Sequence, residues 1–390
     1  MSESAKKTNQ TKPESYSPKK PEILNMAQTA GQNNIISKKY QVKYVNGDKY
    51  MDGVPMLKWG EWKDNTYCGS IAMVAQVLNI PVSYETLMGV SGLCYRFAMK
   101  PDWCPSSALV QNGKVWDDNI NAVLGIEIYS IFEDAERDNT VKRSIDLGIP
   151  VICMGQIGSP EWGIITGYSE DTDAFFGRSY FDAQNTAPGS VYYQHDNVFH
   201  TDNHYRRAIN YPGTYPQLFI RFFDQPCSGA VPVELLKKSL EICLEYDRHD
   251  EVNDCRFGKA ALDILIDGFK KNDHDWNSFR RNENYHLGVL VDARRSAHIY
   301  LHESARLLSG SNQEKLNKVS LLYKSTTDAI LSVMPYKMLN EHFAFNGSPK
   351  EAWSIDVRKK LVDVLCQIIE VENEIQSLIK SVLDNWEDQP

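Results

Sequence analysis

The chain has 390 residues, a formal net charge of −9, and 42% hydrophobic and 24% charged residues. That length carries roughly two or three domains at ~150 residues each, and the composition is globular, without an apolar run long enough to span a bilayer. The acid excess argues against broad nucleic-acid affinity, and it would repel an acidic partner unless Lys142, Arg143, Arg206 and Arg207 cluster.

Residues 1 to about 36 are rich in Ser, Lys, Gln, Asn and Pro and are expected to form a disordered tail. The opening residues carry no apolar segment of the secretory kind, so a cytoplasmic protein is expected. The eight cysteines, Cys68, Cys94, Cys104, Cys153, Cys227, Cys243, Cys255 and Cys366, are scattered without the two-residue spacing of zinc knuckles or redox motifs. They read as free thiols.

Ordered structure is expected to start with the alternation of Tyr40, Val42 and Tyr44, a strand, followed by Gly53 to Trp59. Trp59, Trp62 and Tyr67 then lead into Asp64 to Ile80. There Cys68 and Gly69 precede Ile71, Val74, Ala75 and Leu78 at helical spacing, so a buried helix begins at or just after the cysteine. A thiol at a helix start meets unpaired N–H groups and the positive end of the dipole, which favour thiolate. The alternative is a buried small apolar residue, a common fate of free cysteine. The two tryptophans wall a groove for substrate or simply cover the helix start.

Further along, Ser83 can cap a second helix after Pro81, and Gly89 to Gly92 marks a loop. Short helices are expected over Trp116 to Leu124 and Thr140 to Leu147, each closed by glycine, then a strand over Pro150 to Met154. Pro160 to Tyr168 and Ala174 to Asp182 flank a polar turn and predict a β-hairpin; Gln217 to Phe223 predicts another strand. From about Val231 the spacing is helical throughout, over Leu235–Cys243, Ala260–Phe269, Tyr285–Leu308 and Glu314–Val333. A last run to about Trp386 opens at the Ser348-Pro349-Lys350-Glu351 capping box. No strand signal stands in this part.

A cysteine opening a helix, with a Gly-Tyr-terminated strand and hairpin on the order of a hundred residues later, is the chain order of the papain-like superfamily. Tyr-Cys-Gly-Ser-Ile-Ala-Met, Ile-Pro-Val-Ser-Tyr-Glu-Thr-Leu and Gly-Ile-Ile-Thr-Gly-Tyr together resemble its bacterial branch over about residues 55 to 183. That branch holds bacteriocin leader peptidases and butirosin-type acyltransferases, which move an acyl group from a carrier-protein thioester to an amine. The helical C-terminal part is closer to the acyltransferases. The resemblance implies an α+β protein: a papain-like cysteine domain over 37–228 followed by an all-helical domain over 229–390.

It also implies Cys68 as nucleophile, while two family positions are changed. Where the family has its histidine, counting back from Tyr168 reaches Glu161; where it has the oxyanion glutamine, six positions before the cysteine, this chain has Trp62. The third family residue falls near Asp182, with Arg178 at the closer spacing. Three readings stay open. Glu161 serves as base; or a histidine of the segment His195 to His204, among them His200, enters the site; or the chemistry is lost and the fold binds a partner. That segment matches no familiar metal motif, so no metal or cofactor is expected. The Cys68 N–H and Asn65 are the candidate oxyanion donors. The leading expectation is a cysteine-dependent acyltransferase forming an amide in natural product biosynthesis, because a thioester is already activated and needs less acid catalysis than a peptide. A peptidase or amidase, or an inactive binding protein, is the alternative. Expected partners are an acyl carrier protein and a small amine or peptide, with neither nucleic acid nor membrane; a homodimer stays open.

Overall fold

The structure is a computed structural model that describes residues 40–104, 116–131, 134–154, 161–171, 174–180, 199–200, 205–208, 217–222, 230–246, 251–252, 254–271, 283–340 and 353–386. It mixes an antiparallel sheet with a helical C-terminal region. The expected tail, the Ser348 capping box, Asp182, His195 and His204 lie outside the described residues.

Nine strands form the main sheet. Its path runs β4 (Ile126–Ser130), β10 (Gln217–Phe222), β5 (Val151–Met154), β6 (Trp162–Ser169), β7 (Phe175–Ser179), β9 (Tyr205–Ala208) and β8 (Phe199–His200), and every pairing is antiparallel. The hairpin of β1 (Val42–Val45) and β2 (Asp48–Met51) joins it through β2 against the far end of β6. The expected hairpin is present as β6 and β7, and both strands are buried along their whole length, including the polar Thr166, Ser169, Arg178 and Ser179. A three-stranded sheet pairs β3 (Ala98–Met99) with β12 (Cys255–Phe257) and β12 with β11 (Glu251–Val252). The reading of the C-terminal part as strand-free is thereby corrected: strands of two and three residues leave too short a pattern to register.

Helix α1 (Thr66–Val77) packs on β6 and is buried almost all round. Gly69 is there for packing, since a Cβ at this position would collide with the Tyr180 hydroxyl, which donates to the Lys63 carbonyl at 2.7 Å. Helix α2 (Tyr84–Val90) starts at Ser83, whose hydroxyl accepts the Thr86 N–H as the sequence predicts. Helices α3 (Trp116–Leu124) and α4 (Asp134–Asp146) complete the first half. The second half carries α5 (Val233–Tyr246), α6 (Gly258–Phe269), α7 (Glu283–Ser304), α8 (Gly310–Val333), α9 (Tyr336–Asn340) and α10 (Ile355–Asp384).

Helix α7 is the centre of the helical part, with few exposed positions before its last turn. It packs on α8 and also on α2, where the Tyr300 ring occupies the space a Cβ at Gly89 would need. One apolar cluster therefore runs across residue 229, joining Leu78, Ile152 and Tyr168 to Leu236, Leu301 and Ile379. A second gathers Phe97, Met99 and Trp103 with Leu265, Leu290, Trp353 and Leu365. The expected boundary at 228 and 229 does not divide the core. Among the described residues no helix is long and apolar enough to cross a membrane.

Candidate functional site

The start of α1 is the point where the sheet and the helical region meet, and each contributes an acid there, half-buried from the sheet and fully buried from the helices. Asn65 is the N-cap, its Oδ1 accepting the Cys68 N–H at 3.0 Å. This corrects the expected oxyanion pair: the Cys68 N–H is already satisfied, and the Asn65 side chain is its acceptor.

The helix starts at Thr66, two residues before the expected point, so Cys68 lies within its first turn, and its side chain is 0% exposed. Burial pushes the thiol pKa well up, against the Ser91 hydroxyl and the Arg96 guanidinium, which favour thiolate; Asp292 and Asp117 add to the rise. The expectation of a helix-lowered thiol is corrected on this ground. A helix end is worth up to ~2 kcal/mol, while desolvating a charge costs more.

On the sheet side, Glu161 stands immediately before β6. Its Oε2 accepts the Thr66 hydroxyl at 2.7 Å, and burial raises its pKa to about 7 despite that bond. Trp162 packs its ring against Tyr67 at 5.0 Å between centroids, and the Tyr67 hydroxyl donates to Asp117. The described contacts of Glu161 therefore run to Thr66 rather than to the sulfur. Arg178, on β7, donates from Nε to the Val54 carbonyl at 2.9 Å. His200 lies on β8, paired with Tyr205 on β9.

On the helical side a longer network holds the loop before α1. Asp292, on α7, is 1% exposed; its Oδ2 accepts the Tyr84 hydroxyl at 2.6 Å and the Asp64 N–H at 3.2 Å. The same Tyr84 oxygen accepts the Asn65 N–H at 3.0 Å. Asp64 accepts the Gly60 N–H at 2.8 Å and the Tyr336 hydroxyl at 2.7 Å, and that hydroxyl in turn accepts the Trp62 N–H at 3.0 Å. Both carboxyls titrate above the ordinary range. Burial raises Asp64 to about 6, and burial together with the Asp64 charge raises Asp292 to about 8. The Oδ1 of Asp292 is buried with no hydrogen-bond partner among the described residues.

Of the two expected substrate tryptophans, Trp62 packs on this network. Trp62 has a positive φ of 60°, a strained backbone for a bulky residue. Its ring is stacked on Tyr336 at 3.5 Å, with the Arg295 guanidinium 4.9 Å from its centroid. Trp59 packs against Tyr180 at 4.8 Å and Tyr285 at 6.0 Å.

Neither tryptophan lines the pocket found beside the network. Its wall is Asn65, Met88, Leu93, Arg96, Phe97, Ala98, Val289, Asp292 and Ala293, with room for about one water molecule. Cys68 does not line that pocket, although the charges of Arg96 and Asp292 and the Ser91 hydroxyl act on its thiol. Sequence reasoning missed Asp64, Tyr84, Arg96, Asp292 and Tyr336. One signal was present: Asp292 is the lone acid in the run His286-Leu287-Gly288-Val289-Leu290-Val291-Asp292-Ala293, on the stripe that must face inward. Among the described residues no three metal-ligating side chains gather. Compared with known proteins, the chain matches no protein-family model and no curated relative.

Proposed function

We propose that this chain is a papain-like, cysteine-dependent acyltransferase in which Asp292, in place of a histidine, moves the proton. The observation that supports the reading is a helix-start thiol within electrostatic reach of a buried carboxyl that borders a pocket and whose Oδ1 has no hydrogen-bond partner among the described residues. A carboxyl raised to about 8 can both take and return a proton near neutral pH.

In the proposed cycle the Asp292 carboxylate takes the Cys68 proton as sulfur attacks a thioester carbonyl. The carbonyl electron pair moves to oxygen and returns as the carbon–sulfur bond to the leaving group breaks, and that thiolate takes the proton from Asp292. An amine then attacks the acyl-cysteine, gives its proton to Asp292, and the Cys68 thiol is restored as the amide leaves. A thioester suits this site better than a peptide, because its leaving group needs little acid assistance and the described residues supply no histidine beside the sulfur. The sealed sulfur requires that the wall around Asn65 and Asp292 open when the donor binds. A carrier-protein thioester as natural donor, and amide formation in a biosynthetic pathway, are parts of the same proposal.

The test is intact-mass detection of an acyl adduct after incubation with the thioester S-acetyl-N-acetylcysteamine. An adduct that maps to Cys68 and vanishes in Cys68→Ala is expected. No adduct in the wild type, with the exposed Cys366 still alkylated by iodoacetamide, would favour a second reading. In it the fold binds a ligand without chemistry, which the full burial of Cys68 and the spent Cys68 N–H support.

A further inference from the structure

Away from the start of α1, the seam between α7 and α8 carries a second group of chemistry-bearing side chains. His298 and His302 stand four residues apart on α7, so both lie on one face of the helix, a turn from each other. Their ring centroids are 6.2 Å apart, with the planes inclined at 36°. His298 is half-buried, and His302 is exposed in the last turn of the helix.

The hydrogen bonds of His298 fix which ring nitrogen carries the proton. Its Nδ1 lies 3.1 Å from the carbonyl oxygen of Ser320, on α8, and 2.8 Å from the Ser320 hydroxyl oxygen. The carbonyl can only accept, and the hydroxyl donates its own proton to the His298 carbonyl at 3.0 Å. Nδ1 therefore donates, and the neutral ring presents Nε2 as a bare lone pair. Burial is the largest influence on this ring and lowers its pKa, which keeps it neutral near pH 7. Among the described residues His298 makes no other hydrogen bond and His302 makes none. An imidazole whose Nδ1–H is held by a backbone carbonyl, with Nε2 left bare, has the orientation and tautomer of a metal-ligating histidine.

We infer that His298 and His302 together bind a divalent transition-metal ion of the Ni²⁺, Cu²⁺ or Zn²⁺ class, with water completing the coordination. Imidazole nitrogen suits these ions, whereas Mg²⁺ and Ca²⁺ demand oxygen. A ring nitrogen sits ~2.1 Å from its ion, which puts each centroid ~3.2 Å away and lets two rings up to ~6.4 Å apart share one ion. A turn of the exposed His302 side chain closes the angle further. The end of α7 favours a cation, because the helix dipole is negative there. Lys324 of α8, whose charge also acts on the His298 ring, is paired with Asp328 at 2.5 Å. Two protein ligands leave most positions to water, which makes this an exchangeable site rather than a structural one. The inference is independent of the acyl-transfer reading.

The test adds Ni²⁺ to the full chain, treats it with diethylpyrocarbonate, which carbethoxylates bare imidazole nitrogens, and reads each histidine by peptide mass mapping. Ni²⁺ is expected to protect His298 and His302 together, at one shared half-protecting concentration, while Mg²⁺ protects neither. In His302→Ala, a change at an exposed position, half-protection of His298 should require at least ~10-fold more Ni²⁺, the least that losing even an outer partner of a metal site costs. His298→Gln should raise the requirement at His302 in the same way; if it does not fold, His302→Ala carries the test. Protection of one ring without the other overturns the inference, as does no protection at all. So does protection of His298 that persists in His302→Ala, or equal protection by Mg²⁺. A His298 that never reacts in the metal-free chain has no accessible Nε2 and overturns it as well.

Discussion

A half-buried acid and a fully buried one flank the start of α1, and the contrast between them is instructive. Glu161, from the sheet side, is bound by one side-chain hydroxyl, that of Thr66. Asp292, from the helical side, belongs to a chain of donors linking Gly60, Trp62, Asp64, Asn65, Tyr84 and Tyr336. Desolvation raises both, but only Asp292 is raised further by a second carboxyl and left with an oxygen unpartnered among the described residues. A buried acid pair beside a pocket stores a proton near neutral pH.

The comparison can be broken from the helical side with the largest effect. Asp292→Ala removes the acceptor of the Tyr84 hydroxyl and the Asp64 N–H, leaving buried donors unpaired; a loss of about 3 kcal/mol is expected in urea unfolding. Gly69→Ala should come next at about 2 kcal/mol, because the new methyl displaces the Tyr180 hydroxyl from above the helix start. A result near zero would mean that Tyr180 can move without cost and that the hairpin does not pin α1.

A subtler test uses pH. Asp292 has a folded pKa of about 8 against an ordinary value near 4, so the folded state binds the extra proton between the two. Its contribution to stability is complete below about pH 4 and is lost as pH rises toward 8. Asp292→Asn keeps the acceptor oxygen and deletes the titration. From pH 5 to pH 8 its stability relative to wild type should therefore improve by at least ~1.4 kcal/mol, one pKa unit. A flat difference would show that Asp292 titrates normally. Smallest of all, Tyr336→Phe should cost about 1 kcal/mol, since the stack on Trp62 survives and only the hydroxyl bonds to Asp64 and Trp62 are lost.

Elements on both sides were legible, and the site residue on the sheet side was too. Helix α1, the β6–β7 hairpin and the long C-terminal helices follow from apolar periodicity, and Ser83 from capping chemistry. Glu161 was found by counting back along the apolar strand from Tyr168 to the position where the papain-like resemblance has its histidine. Asp292 lies more than two hundred positions from Cys68, and no local spacing links the two. Their meeting depends on how α7 packs against α2, which is tertiary information. Cys68 shows the complementary limit: its place at a helix start could be read, but its exposure, which sets its pKa, depends on everything packed above it.

The most direct measurement compares Asp292→Asn with Glu161→Gln for the rate of Cys68 acylation by S-acetyl-N-acetylcysteamine. The account predicts at least a ~100-fold loss for Asp292→Asn, the scale of a missing general base, and a rate within about threefold of wild type for Glu161→Gln. The opposite order, with Glu161→Gln inactive and Asp292→Asn near wild type, would contradict it and return the proton to the sheet side.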